Sequence, residues 1–253
     1  MKTELPGTAM QNYLQTVLDM QQRVLQSQHE NLCLTASRMA DTVEAGRRIF
    51  IFGSGHSHLI AEEAFYRAGG LAAATPVFSS ALMLHENAHF SSHMERIPGV
   101  AEGLLERYRP LPGEMLFIFS NSGVNHLPVA LAMDARQRGL YVVSVSSFEY
   151  ARLAPQSVLA LRLDQVADLA LDNGGVPGDA VLQLENCDWR VGPSSTLLGA
   201  LLWNSLVVEC IAALQARGWE SDKLPVFASL NMRGAAEHNE TLLEQWRKVN
   251  PHL

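Results

Sequence analysis

Four segments rich in serine, threonine, asparagine and glycine hold the residue types of this sequence that best suit ligand chemistry. They are residues 53–57, 120–125, 144–147 and 193–196. Hydroxyl and carboxamide groups donate hydrogen bonds without carrying charge, and glycine lets the backbone approach a ligand closely. Such segments suit a phosphate dianion. Any single serine is more often a helix cap or a turn residue, so the prediction depends on the four segments together.

The first segment, Gly53-Ser54-Gly55-His56-Ser57, follows an apolar run that predicts a strand. We expect Gly55, His56 and Ser57 to line a ligand site, with Ser57 near the first amides of a helix. The spacing differs from the G-x-G-x-x-G of dinucleotide sites, and no acidic residue follows at about twenty positions. A dinucleotide is therefore not expected.

The second segment, 120–125, follows the most apolar predicted strand, and Pro128 fits the first turn of the helix after it. The third segment ends another predicted strand, and the fourth begins a long apolar helix. We expect the ligand contacts of these three segments to come from Ser120, Asn121, Ser122, Asn125, Ser146, Ser195 and Thr196.

Proton transfer beside such a site requires a carboxylate or an imidazole. Glu62 and Glu63 follow the first glycine segment on a predicted helix, and Glu209 lies inside the long apolar helix. The structural alternatives are surface pairs of Glu63 with Arg67 and of Glu62 with His58, four residues away. For Glu209 the alternative is a buried hydrogen bond to a loop or to a neighbouring subunit.

The segment His85-Glu86-Asn87-Ala88-His89 matches the HExxH pattern, and His93 follows one turn later. On a helix, His85 and His89 would share a face and hold zinc, with Glu86 as the base. The flanking sequence follows a predicted strand and differs from the surroundings of zinc proteases. We expect no bound metal, and instead expect His85 and Glu86 to project towards the ligand site, with His85 as a further catalytic candidate.

Apolar strands alternate with amphipathic helices, which predicts a parallel sheet with helices on both faces. The predicted strands are 47–53, 73–79, 115–120, 140–146 and 166–172, with a late edge strand at 225–229. The predicted helices between them are 57–68, 127–138 and 195–216. The expected fold class is α/β, a three-layer αβα sandwich with a five-stranded parallel sheet.

Residues 1–45 predict a helical lead-in that either contacts another subunit or covers its own sheet, and residues 46–253 predict the ligand-binding domain. Asn239 predicts the cap of a terminal helix over about 241–248. Residues 195–216 are apolar enough to span a membrane, but Asn204, Ser205 and Glu209 interrupt them. We expect a core helix and no membrane association.

The composition limits the expected binding partners and the expected cellular compartment of the protein. The net charge of −7 excludes the basic footprint of a nucleic-acid-binding protein. Three cysteines without a CxxC pair indicate free, buried thiols in a reducing cytoplasm. The first residues lack the apolar stretch of a signal peptide.

The glycine–serine segment 53–57, followed by Ser120-Asn121-Ser122-Gly123 and by Ser146-Ser147, resembles the sugar isomerase (SIS) domain family. The resemblance covers about residues 45–215, and residues 53–63 also resemble a little-characterised bacterial subgroup with a single SIS domain. It implies a flavodoxin-like fold and a phosphorylated sugar as ligand. The residues that the family uses to hold the sugar phosphate match Ser57, Ser120, Asn121, Ser122 and Asn125, with asparagine in place of the usual threonine at 125.

The resemblance also implies a homodimer or homotetramer, no cofactor, and an aldose–ketose isomerase or a related phosphosugar-transforming enzyme of carbohydrate metabolism. Family enzymes place a catalytic glutamate about one turn beyond Glu62 and Glu63. Family heptose isomerases carry a catalytic histidine on the helix that corresponds to 195–216, which contains none. A non-catalytic phosphosugar sensor is the alternative, and a metal-dependent hydrolase through His85, Glu86 and His89 is a third.

Overall fold

Five parallel strands form the central sheet in the computed structural model, which describes residues 7–253. They are β1 (Ile49–Gly53), β2 (Ala74–Pro76), β3 (Met115–Phe119), β4 (Tyr141–Ser146) and β5 (Leu169–Asp172). Their order across the sheet is β2-β1-β3-β4-β5, the flavodoxin-like order. The predicted five-stranded parallel sheet is confirmed.

Helices cover both faces of this sheet. Along the chain they are α1 (Thr8–Ser27), α2 (His29–Glu44), α3 (His58–Ala64), α4 (Ala88–Met94), α5 (Val100–Glu106), α6 (His126–Gln137), α7 (Phe148–Leu153), α8 (Leu163–Val166), α9 (Ser195–Ala216) and α10 (Ala235–Trp246). Ile49 and Ile51 face the core that contains α2, α3 and α9, while Phe50 and Phe52 face the core that contains α5, α6 and α8. This alternation confirms the predicted three-layer sandwich.

Helix α9 is long and apolar enough to cross a membrane by length and composition. Leu198, Leu202, Leu206 and Leu214 are nevertheless buried against the sheet, and Trp203 packs edge-on against Phe117. The strong apolar character of α9 is therefore explained by its place in the core.

The sheet does not extend to residues 225–229. Val226 makes only an isolated antiparallel bridge to Leu71, and the segment runs across the end of β2. The predicted late edge strand is therefore wrong. A short antiparallel hairpin that the sequence did not predict, β6 (Ala180–Leu182) with β7 (Val191–Pro193), leads instead into α9.

The terminal helix starts earlier than predicted, and Asn239 is not its cap. Gly234 precedes α10 in a left-handed conformation, with φ of 82°. Asn239 lies buried inside the helix, where its amide group binds the backbone N–H and carbonyl of Ala228, each at 2.8 Å. A capping pattern in the sequence cannot reveal this role of Asn239, because its partner Ala228 belongs to a different segment.

All three cysteines are free, as predicted. Burial raises the pKa of the Cys210 thiol to about 12, so this group is inert at neutral pH. Cys33 and Cys187 are only partly buried, which corrects the expectation of burial for those two.

Candidate functional site

A crevice opens where the carboxyl ends of the central strands meet the start of α9. The crevice is narrow, with a cavity volume of about 10 Å³, and its lining comes from Ser57, Ile60, Phe119, Ser120, Val145, Asn173, Ser195, Thr196 and Gly199. Ligands of open parallel sheets bind at this edge. The fold thus brings residues of the first, second and fourth polar segments together around one opening.

The first loop needs its glycines for two different reasons. A Cβ on Gly53 would collide with the carbonyl of Ser57, and Gly55 has a left-handed φ of 56°. The turn folds back at once, so that the Ser57 N–H donates to the Ser54 carbonyl at 3.0 Å. This tight turn places Ser57 in the crevice and leaves His56 exposed.

The second loop, 120–125, offers a row of unused donors. The Ser120 N–H donates to the Val145 carbonyl at 3.0 Å, which fixes the start of the loop. Among the residues that the structure describes, none accepts a hydrogen bond from the five backbone amides of residues 121–125. Gly123 has a left-handed φ of 62°. Successive free amides around a left-handed residue are typical of anion-binding nests, so this loop is a candidate for one.

Side chains below the second loop hold it in place. Asn173, only 3% exposed, donates from Nδ2 to Asn121 Oδ1 at 3.0 Å, and Gly175 N–H donates to Asn173 Oδ1 at 2.8 Å. Ser146 is fully buried, with its hydroxyl beneath Gly123. Ser146 and Asn173 therefore support the loop from beneath, with Asn121 as the loop residue that Asn173 holds, and Asn173 is a crevice residue that the sequence did not predict.

The start of α9 is capped by a residue distant in sequence. Asp179 Oδ1 accepts hydrogen bonds from the N–H groups of Ser194 (3.0 Å) and Ser195 (2.7 Å), and its Oδ2 accepts from the Ser195 hydroxyl at 2.8 Å. A carboxylate is favourable at a helix N-terminus. The Ser195 hydroxyl is therefore engaged by the protein, and Thr196 is its neighbour in the crevice.

Neither predicted carboxylate of α3 is a lining residue of the crevice, which instead contains Ile60 of that helix and Ser57 directly before it. Glu62 is half exposed, with Oε1 3.4 Å from Nε2 of the buried His58. Glu63 pairs with Arg67 and accepts a hydrogen bond from Asn204 Nδ2 at 3.0 Å.

The two remaining catalytic candidates lie outside the crevice lining. Glu209 is exposed on the outer face of α9, beside a groove formed with α1 and α2. This corrects the expectation of a buried carboxylate in that helix. His85 is exposed, and its ring centroid lies 6.5 Å from that of His58.

The HExxH segment does not form the helix that a zinc site requires. His85 and Glu86 lie in a turn, and α4 begins only at Ala88, where Asn87 Oδ1 accepts the Phe90 N–H at 2.9 Å. Asn87 thus ends the turn and starts the helix within the motif. Within residues 7–253, no three His, Cys, Asp or Glu side chains are grouped as metal ligands.

A second, wider cleft of about 510 Å³ lies on the other side of the second loop. Its polar lining includes Arg96, Ser122, Asn125, His126 and Tyr150. Beside Arg96, Glu95 accepts a hydrogen bond from Asn125 Nδ2 at 2.6 Å. Sequence patterns do not single out Glu95. It becomes a candidate site residue only in the fold, where the segment after α4 approaches the second loop.

Comparison with known proteins identifies relatives of this chain. A family model for the SIS domain matches residues 12–147, more than half of the chain. A UPF0309 protein of Brucella anthropi is 41% identical over 220 residues, which cover 87% of this chain and 86% of that protein. A UPF0309 protein of Brucella canis is 39% identical over 218 residues, with 86% and 88% coverage.

Two solved structures share the fold. The phosphoheptose isomerase of Neisseria gonorrhoeae superposes with a TM-score of 0.53 at 15% identity, over 82% of this chain and 97% of that one. A phosphoheptose isomerase of Francisella tularensis superposes with a TM-score of 0.51 at 10% identity, over 80% and 96%. The predicted resemblance is confirmed: the chain belongs to the SIS-domain family, together with the UPF0309 proteins.

Proposed function

We propose that this protein binds a phosphorylated sugar with its phosphate on the second loop and its sugar between the first loop and α9. The observation that carries the proposal is the row of five unused backbone amides in residues 121–125, together with the hydroxyls of Ser120 and Ser122 in the same loop. Several neighbouring donors without fixed charge match the acceptor-rich dianion. Arg96 adds one cation at the margin of the loop.

We propose further that the bound sugar undergoes aldose–ketose isomerisation or a related transformation in carbohydrate metabolism. The shared fold with two phosphoheptose isomerases supports this reaction class. Of the two predicted bases on α3, Glu62 is the better candidate because Glu63 is already paired with Arg67 and Asn204. Replacing Glu62 with glutamine keeps the shape and removes the base, so turnover should be lost while ligand binding is kept.

One observation favours the alternative, a non-catalytic phosphosugar sensor. Neither Glu62, Glu63, Glu209 nor His85 lines the crevice of the single chain. A sensor requires binding alone and no base. Detection of phosphosugar binding without any conversion of the sugar would select this alternative.

We also propose that the protein works as a homodimer or homotetramer in the cytoplasm. Met10, Leu14 and Leu18 recur on one side of α1 and are 71%, 58% and 42% exposed. Apolar residues at this spacing indicate a helix face that packs against another surface. Light scattering coupled to size exclusion tests the assembly, and a monomer at micromolar concentration would contradict it.

The test of phosphosugar binding is a thermal-shift screen with matched pairs of ligands. Glucose 6-phosphate, glucosamine 6-phosphate and sedoheptulose 7-phosphate are each compared with their unphosphorylated sugars. A ligand that binds only the folded protein raises Tm by mass action. Phosphorylated members should raise Tm, and their partners should not. Equal shifts within the pairs, or no shift with any phosphosugar, would contradict the proposal.

A further inference from the structure

Glu95 lies at the junction of the two loops that form the proposed phosphosugar site. Its Oε2 accepts the hydrogen bond from Asn125 Nδ2 at 2.6 Å, and its Oε1 lies 3.3 Å from the position that a Cβ on Gly55 would take. The Glu95 carbonyl accepts the Leu127 N–H of the first turn of α6 at 3.0 Å. Both its main chain and its side chain are therefore tied to the site.

Glu95 is not itself a lining residue of either cleft, but its carboxylate contacts Asn125, which lines the wider cleft, and so brings a negatively charged acceptor to the donor-rich second loop. An ionised carboxylate accepts hydrogen bonds and donates none. A ligand that carries only acceptor oxygens, such as sulfate, gains nothing from Glu95 and is repelled by its charge. A sugar hydroxyl beside a phosphate ester instead donates to the carboxylate, and a hydrogen bond to a charged group is among the stronger ones.

We infer that Glu95 is a specificity-determining residue, which selects phosphate esters that bear neighbouring hydroxyl groups over simple dianions. This inference rests on the proposed phosphosugar function. Arg96, the next residue, lines the cleft with Ser122 and Asn125, and Ser92 Oγ accepts a hydrogen bond from its Nη1 at 2.9 Å. Arg96 and the loop amides thus attract any anion, while Glu95 favours anions whose hydroxyl groups can donate a hydrogen bond to its carboxylate.

The test compares the wild-type protein with Glu95→Gln. The glutamine keeps the shape, and its Oε1 still accepts from Asn125, so the loop geometry is retained while the charge is removed. Calorimetric titrations with sodium sulfate and with the phosphosugar that gives the largest thermal shift measure both affinities. We expect sulfate to bind Glu95→Gln at least about threefold more tightly and the phosphosugar about tenfold more weakly. A purely structural role for Glu95 would move both affinities in the same direction.

Two further variants complete the experiment. Glu244→Gln makes the same charge change at an exposed position on α10 and should alter neither affinity. Glu95→Ala also removes the carboxylate and should tighten sulfate binding, which keeps the test available if the glutamine variant does not fold.

The outcomes separate the inference from the function on which it rests. If the wild-type protein binds a phosphosugar and Glu95→Gln changes both affinities alike, or changes neither, the inference is overturned and the proposed function stands. Failure to detect sulfate binding to any variant also overturns the inference. If no variant binds any phosphosugar, the proposed function and the inference both fail.

Discussion

The two ends of the central sheet use polar residues in opposite ways. At the amino end, Arg48 stands directly before β1 and Glu114 directly before β3, and they are only 4% and 1% exposed. Arg48 Nε lies 2.6 Å from Glu114 Oε1, and Arg48 Nη2 lies 2.9 Å from Glu114 Oε2. The two charges form a bidentate pair between neighbouring strands.

The remaining hydrogen bonds of this pair are also made. Arg48 Nη1 donates to the carbonyls of Tyr108 (2.9 Å) and Val249 (2.7 Å), and the Leu111 N–H donates to Glu114 Oε2 at 2.7 Å. A buried ion pair is tolerated when its other donors and acceptors are satisfied in this way. The pair therefore links β1 and β3 to the loop of Tyr108 and Leu111 and to Val249 near the chain end. All of these hydrogen bonds are made within the protein.

At the carboxyl end, the loop 120–125 has almost the reverse character. It carries no charge of its own, and its five amides at 121–125 have no acceptor among the described residues. Strong, fully paired charges thus hold one end of the sheet together, while the uncharged amide donors at the other end have no partner among the described residues. The three predictions that follow test each side of this contrast.

The largest effect is expected from breaking the buried pair with Arg48→Met. This change leaves Glu114 as an unpaired buried charge, so the free energy of unfolding should fall by about 3–5 kcal/mol. Urea denaturation followed by circular dichroism measures the loss. Arg67→Met, which breaks the partly exposed pair with Glu63, is the control and should cost less than about 1 kcal/mol. Similar small losses in both variants would refute the structural role of the Arg48–Glu114 pair.

A selective effect on binding is expected at the carboxyl end with Ser122→Ala. Removing one hydroxyl donor to a phosphate should weaken phosphosugar binding by about ten- to a hundredfold and leave the unfolding free energy nearly unchanged. Isothermal titration measures the first quantity and thermal denaturation the second. Ser80→Ala, at an exposed position outside both clefts, serves as the control. An unaltered dissociation constant in Ser122→Ala would remove this residue from the site.

The smallest effect concerns His252, which packs near the edge strand β2 against Tyr108 and Phe78. Burial, and then the charge of Arg107, hold the pKa of this imidazole below its ordinary value. The neutral form is favoured in the folded protein, so its contribution to stability is complete above the unfolded pKa of about 6.5 and declines as pH falls below it. His252 is only partly buried, so the loss should stay below about 1 kcal/mol.

The variant His252→Gln removes this titration. Between pH 7.5 and pH 5.5 the wild-type protein should therefore lose slightly more Tm than the variant, as measured by differential scanning calorimetry. An equal loss of Tm in the two proteins would show that the titration of His252 does not contribute to the pH dependence of stability.

Local patterns predicted the parts of the site that are continuous in sequence. The glycines at 53 and 55 and the segment 120–125 were placed at strand ends because apolar runs stop directly before them, and the structure places them there. The spacing of the two histidines in the HExxH motif does not reveal that Asn87 starts a helix between them. Asp179, Asn173 and Glu95 escaped prediction because each acts on a segment that lies 15 or more residues away.

The sequence by itself determined the five segments that form the central sheet, which of their faces are buried and where the backbone turns after β1 and β3, because burial follows from apolar periodicity and left-handed turns follow from glycine. Only the tertiary structure decided the strand order β2-β1-β3-β4-β5, which sets Gly53 beside Phe119 although 66 residues separate them. It also decided that Glu63 pairs with Asn204 and that Glu95 meets Asn125. These partners depend on how two cores pack on one sheet, and a one-dimensional pattern carries no record of distances between remote segments.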